Sequence, residues 1–214
     1  MPIRAFTPDD AEALAALHRS VGWPERSAAG WRWLAQDPAR IRLDAPLGWL
    51  AEDEAGRPLA CLGNFVQTFR HGERTLHAAT GHSIIVSPEG RGMAPQLIRT
   101  LMAQTGMVGF YTFNANARAA PLYRRHRLVP WPEATHDLKL AWTLKRWPAL
   151  LAGALKRIPE PLTPKPRPVR QADMPDGVAL MSADLPDDWD SYWQALVDGG
   201  GLVADRSAGV MRHR

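Results

Sequence analysis

An α/β fold is predicted by two features of this sequence. Between positions 48 and 86 three strand-like runs, Trp49 to Glu52, Leu59 to Phe69 and Leu76 to Val86, are separated by the turn segments Asp53-Glu54-Ala55-Gly56 and His71-Gly72-Glu73. That is the texture of an antiparallel meander. The third run then passes through Ser87-Pro88-Glu89-Gly90-Arg91-Gly92 into a helix whose Leu97, Ile98, Leu101 and Met102 share one side, and a buried-type strand, Met107 to Phe113, follows. Antiparallel strands leading into a strand, helix and strand require helices packed on a sheet.

The remaining elements follow from local signals. Pro2 to Phe6 reads as a short strand, and Thr7, Pro8, Asp9 and Asp10 supply a cap, a first-position proline and early acids for a helix with Leu14, Leu17 and Val21 on one face. Trp31, Trp33 and Leu34 lie in a second helix, which proline and arginine interrupt before a loop. Beyond Phe113 a helix is expected from near Asn116, a strand from Leu138 to Leu144 and a short amphipathic helix from Trp147 to Leu155. Five prolines between Pro159 and Pro168 mark an extended linker. Past it, Trp189, Tyr192, Trp193 and Leu196 stand at helical spacing, giving an aromatic face over about 187 to 197 that needs a cover. The expected organisation is a domain at 1–157, a linker at 158–170 and a C-terminal extension at 171–214, read as the start of a second, truncated domain.

Composition excludes several classes. With 214 residues, 45% of them hydrophobic, the chain can bury one good core and begin another. No stretch of eighteen apolar residues occurs and the first thirty residues lack a secretion signal, so no membrane span and a cytoplasmic location are expected. Cys61 is the only cysteine, which rules out an internal disulfide and a thiolate metal cluster; no metal is expected. The formal charge of +4 suits an anionic ligand without choosing among nucleic acid, a membrane surface and a phosphorylated cofactor. A nucleic-acid partner has only this charge in its favour and is not expected.

The chemistry gathers around Arg91. A helix start leaves backbone N–H groups without intrahelical partners, and with the helix dipole they can seat phosphate oxygens. Gly90, Gly92 and Ala94 keep side chains out of the way there, and Arg91 adds a positive charge suited to a pyrophosphate. The same residues also fit an ordinary strand-to-helix turn. Neither the Gly-Lys-Ser/Thr ending of a P-loop nor the three spaced glycines of a dinucleotide fingerprint is present.

The segment VSPEGRGMAPQ resembles motif A of the GCN5-related N-acetyltransferase superfamily, usually VxPxxRGxGxG or Q/RxxGxG/A. Val86, Pro88, Arg91 and Gly92 match, Ala94 replaces the central glycine and Gln96 takes the final glycine position; a second register would begin at Glu89. A separate segment, Asn116-Ala117-Arg118-Ala119-Ala120-Pro121-Leu122-Tyr123 with Arg127-Leu128, resembles NxxAxxLYxxxGF with the closing Gly-Phe altered. The resemblance covers roughly residues 3 to 145 and implies that superfamily's fold, a mixed central sheet flanked by helices.

The resemblance further implies an acyl-CoA-dependent N-acyltransferase, with acetyl-CoA as co-substrate and a small-molecule or peptide amine as acceptor. The backbone of Ile84, Ile85 and Val86 would pair with the pantetheine arm, and the amides of Arg91, Gly92, Met93, Ala94 and Gln96 would hold the pyrophosphate. Pro95, within that run, removes one donor. Asn116 would bond the pantetheine or substrate side, and Arg118, Arg124, Arg125 and Arg127 are either phosphate ligands or solvated helix charge. Tyr123 matches the tyrosine that protonates the departing thiolate. The base is open: His82 titrates near ~6.5 when unperturbed, and a water relay is the alternative. The departures at Ala94, Pro95 and Gln96 motivate a second reading, a degenerate acyl-CoA-binding module without catalysis. Trp23 to Trp33 and the loop before Gly48 are the expected acceptor wall, and a homodimer is left open.

Overall fold

The computed structural model describes residues 1–112, 115, 119–130 and 185–213. The chain divides into two compact units, one made of 1–129 with 187–214 and the other of 130–186. The expected strand at 138–144, the helix at 147–155 and the linker at 158–170 lie outside the described residues, as does Asn116.

In the first unit, β1 (Ile3–Ala5), β2 (Gly48–Glu52), β3 (Pro58–His71) and β4 (Arg74–Val86) are antiparallel neighbours in that order, and β5 (Gly109–Tyr111) joins β4 in parallel. The sheet is therefore mixed, as expected. The N-terminal helix α1 (Ala11–Ser20) follows a single 3₁₀ turn at Pro8–Asp10, where the Thr7 hydroxyl accepts from the Asp9 amide and the Asp10 carboxylate accepts from the Thr7 amide. Arg4 bonds both Asp10, at 2.6 Å, and Glu52, at 2.7 Å, so the sheet edge and the helix start are fastened together.

The second helix, α2 (Ala28–Ala35), is followed by α3 (Pro38–Arg42) where the sequence reading placed an interruption and a loop. Asp37 explains the helix: its side chain accepts from the Arg40 amide while Pro38 occupies the first turn, so the same proline that ends α2 starts α3. Buried Arg40 then donates to the carbonyls of Leu34, Ala45, Pro46 and Asn64, which anchors the following loop on the sheet.

Strand alternation divides the core between the two faces. Leu50, Cys61 and Ile85 pack with Phe6, Leu14, Leu17, Trp31 and Leu34 beneath α1 and α2. Their neighbours Trp49, Ala51, Ala60 and Leu62 pack on the other face with Leu97, Ile98 and Leu101 of α4 (Ala94–Met102) and Tyr123 of α5 (Ala120–Arg125). Burial pushes the Cys61 thiol up to about 12, in keeping with a core residue rather than a nucleophile.

The C-terminal residues form α6 (Trp189–Asp198), β6 (Val203–Ala204) and α7 (Ala208–His213). Two of them pair with β3, Ala204 opposite Phe69 and Val203 opposite Arg70, and Trp33 donates to the His213 carbonyl at 2.8 Å. Residues 187–213 thus fold as part of the same unit as the sheet.

Candidate functional site

The site begins with an irregularity in β4. His82 lies opposite Gly63 and Ile85 opposite Cys61, so Ser83 and Ile84 together face the single residue Leu62. This is a β-bulge, and Ser83 takes the left-handed conformation at φ 50°. On the other edge of β4, pairing with β5 stops at Thr80 opposite Tyr111. From Gly81 to Val86 that edge has no strand partner among the described residues. A cleft of about 390 Å³ runs along it, lined by Val21, Trp23, residues 81–86, Ala94, Ala115, Ala119, Leu122 and Tyr123.

At its far end β4 runs into the turn before α4. The Ser87 amide donates to Leu59 at 2.8 Å and the Ser87 hydroxyl accepts from the Gly90 amide at 3.2 Å, which fixes the turn on β3. Gly90 sits so close to β3 that a Cβ there would lie 2.5 Å from the Leu59 carbonyl oxygen. Gly92 has φ 96° and open space where a side chain would project, so this turn presents bare backbone outward. The amides of Arg91, Met93 and Gln96 already donate to Pro88, Gly90 and Met93, and Pro95 has none to offer. Those of Gly92 and Ala94 have no acceptor among the described residues, leaving two donors at the start of a nine-residue helix. Arg91 and Gln96 are exposed beside them, whereas the Met93 side chain is buried in the core and offers only its backbone.

Tyr123 is 6% exposed and is brought to the cleft by α5; a Cβ on Gly81 would stand 3.7 Å from its hydroxyl. That hydroxyl has no hydrogen-bond partner among the described residues, and burial raises its pKa, so it keeps its proton at neutral pH. His82, which lines the same cleft, is partly buried, its ring stacked on Trp31 at 6.2 Å between centroids and its Nδ1 3.2 Å from the Ser83 hydroxyl. The ring covers Gly63 so closely that any Cβ at that position would fall within it, at 2.2 Å.

Burial first, and the positive charges of Arg26 and Arg40 and the ring of His18 after it, lower the His82 pKa to about 4. It is a much poorer base than the unperturbed imidazole that sequence reasoning assumed. A stability consequence follows. As pH falls through 6.5 the unfolded chain takes up a proton at His82, and the folded chain does not until about 4, so the folded state loses stability across that window. Urea denaturation at pH 7 and pH 4.5 should show a loss of ~2–3 kcal/mol from this group, absent in His82→Asn. Equal losses in both proteins would place the proton uptake elsewhere.

Of the residues singled out from the sequence, Tyr123, His82, Ile84, Ile85, Val86 and Ala94 line one cleft. Arg91, Gly92, Pro95 and Gln96 sit at the turn adjoining it, and Trp23 lines it as part of the expected acceptor wall. Val21, taken from the sequence as a core position of α1, also lines it, because α1 has ended before it and the chain turns there. The bulge at Ser83 had no signal in the sequence. Arg124, Arg125 and Arg127 are exposed at the end of α5.

No family model and no curated protein matches the chain. Among solved structures it is similar to an acetyltransferase from Trypanosoma brucei, with 15% identity, 66% of this chain and 99% of that chain covered and a TM-score of 0.48. It is also similar to glucosamine-6-phosphate N-acetyltransferase from Arabidopsis thaliana, with 12% identity, coverage of 67% and 98% and a TM-score of 0.47. Ribosomal-protein-alanine N-acetyltransferase from Brucella melitensis biovar Abortus 2308 is similar at 18% identity, with coverage of 67% and 99% and a TM-score of 0.47.

Proposed function

We propose that the chain is an acyl-CoA-dependent N-acyltransferase that moves an acetyl group from acetyl-CoA to an amine by direct attack. One observation carries this reading: the bulged edge of β4, without a strand partner from Gly81 to Val86 among the described residues, leads to a turn where two amides have no acceptor among those residues, and Tyr123 lines the same cleft. An extended edge suits a peptide-like arm that needs strand-type hydrogen bonds, and a helix start suits a diphosphate. The residues present fit such a ligand, since Gly92 is open on its outer side and Gln96 is exposed.

Bound acetyl-CoA would supply a thioester carbon open to nucleophiles. The backbone at 84–86 aligns the arm, and the amides of Gly92 and Ala94 hold phosphate oxygens. The neutral amine forms the new C–N bond, the C–S bond breaks, and Tyr123 Oη gives its proton to the departing sulfur; the amine nitrogen loses one to solvent, and solvent returns one to Tyr123 Oη. His82, with its pKa pushed down to about 4, acts as a neutral hydrogen-bond acceptor at the acceptor end rather than as a proton store.

A second reading, a binding module without turnover, draws on the amides already spent within the turn and on Pro95. Calorimetry with acetyl-CoA and CoA, followed by thiol release across an amine panel, separates the two. We expect binding in the micromolar range, about −8 kcal/mol, and turnover on at least one amine. Binding with no turnover on any acceptor would select the module, and no binding would remove both.

A further inference from the structure

We infer that the acceptor end of the cleft receives an amine that carries its own anionic oxygens, a carboxylate or a phosphate, and that the Arg26 guanidinium is their counter-charge; this rests on the acyltransferase reading above. The geometry starts at the cleft wall. His82 lines the cleft, its ring stacks on Trp31 at 6.2 Å, and the Arg26 guanidinium lies over the same Trp31 ring, 5.1 Å from its centroid. An arginine held by its face on an indole keeps its N–H edge available for a planar partner.

Arg26 has no ion pair or hydrogen bond among the described residues. The carboxylate next to it in sequence, Glu25, pairs with Arg19, and Asp37 is engaged by the Arg40 amide. Of the other groups that act on His82, Arg40 donates to four carbonyls, and His18 uses Nδ1 on the Pro24 carbonyl at 2.8 Å while its buried Nε2 has no partner among the described residues. Among the described residues the charges that act on His82 are those of Arg26, Arg40 and His18, and of these Arg40 has Asp37 beside it, so Arg26 is the cation there without a described carboxylate partner.

That charge balance selects the acceptor. A simple alkylammonium entering here would meet the positive charge of Arg26 and be disfavoured. An amine with a carboxylate or phosphate a few bonds away brings a negative charge, and the guanidinium fork donates two N–H bonds to the oxygens of either group. The anion then pairs with Arg26, which lies beside the cleft rather than in its lining, and the acceptor nitrogen is directed to the thioester past the apolar side chains of Trp23 and Val21.

The test uses three acceptors with matched two-carbon spacers and acetyl-CoA as donor: n-propylamine, 3-aminopropanoate and 2-aminoethyl phosphate. Thiol release should give an anionic acceptor a kcat/KM at least about tenfold above the neutral amine, as expected for a charge-assisted pair. Arg26→Gln should reduce that ratio about tenfold or more, mainly through KM, while Arg26→Lys recovers part of it and Arg26→Glu reverses the preference. The carboxylate and phosphate arms identify which anion the site prefers. On the unmodified protein, raising salt should lower kcat/KM for the anionic acceptors more than for the neutral one, a readout that does not depend on any variant folding. Equal use of all three amines by the unmodified protein, or a ratio unmoved in Arg26→Gln, overturns the inference while leaving the acyltransferase reading intact. Failure of acetyl-CoA to bind removes that reading first, and this one with it.

Discussion

Tyr123→Phe should lower turnover by about 100-fold or more while leaving the acetyl-CoA dissociation constant nearly unchanged, because it removes only a proton donor. The hydroxyl is the group at stake, since the ring itself is buried against Leu97, Ile98 and Leu101 and phenylalanine preserves that packing. The hydroxyl bonds no described residue, so its removal should cost no more than about 1 kcal/mol of stability. Its raised pKa also sets the expected pH profile. The acid stays protonated through neutral pH, and activity should fall only well into the alkaline range as the phenol ionises. A variant with wild-type kcat would show that Tyr123 is only a packing residue and that the thiolate leaves unassisted or is protonated from another wall of the cleft.

Part of this site is legible in the sequence because spacing along one strand and one helix is conserved by their regular geometry. The turn with Gly90, Arg91, Gly92 and Ala94 could be singled out from the strand, glycine turn and helix alone, since a helix start leaves amides free, whereas Ile84, Ile85 and Val86 could be named only through the resemblance of their segment to a known pattern. Tyr123 could be added only through the resemblance of its segment to a known pattern, as nothing in residues 119–125 fixes where that helix docks. The bulge was illegible. Ser83 and Ile84 carry no glycine or proline to mark a break in register, and a strand read by alternation would send His82 and Ile84 to one face without interruption. Sequence reasoning therefore placed His82 by its ordinary titration, whereas the stack on Trp31, the cover over Gly63 and the cation at Arg26 all come from segments distant in the chain. The same limit applies to α3: Asp37 and Pro38 are a recognisable helix start, but five residues are too few for a periodic pattern to confirm it.

Gly90→Ala should be the most damaging small substitution in the turn, and its contrast with Gly92→Ala tests whether that turn is the phosphate seat. At Gly90 the new methyl would approach the Leu59 carbonyl oxygen to 2.5 Å and its carbon to 2.9 Å, both backbone atoms of a central strand that cannot rotate away. Relief requires moving residues 87–92 off β3, at the expense of the 2.8 Å bond from the Ser87 amide to that same carbonyl. We expect a loss of ~2–3 kcal/mol in urea denaturation, in the range of core overpacking. Acetyl-CoA affinity measured where the variant remains folded should fall about tenfold or more, since the Gly92 and Ala94 amides lose their aim. At Gly92 no neighbour lies within 4 Å, and the cost is the left-handed backbone alone, ~1–2 kcal/mol. Its methyl projects outward from the turn, so affinity should again drop although the fold is less perturbed. Weakened binding in both variants, with the larger stability loss at Gly90, ties the diphosphate to these amides. Unchanged acetyl-CoA affinity in the two folded variants would mean that the ligand is held elsewhere, because no diphosphate seated on this backbone could be indifferent to both changes.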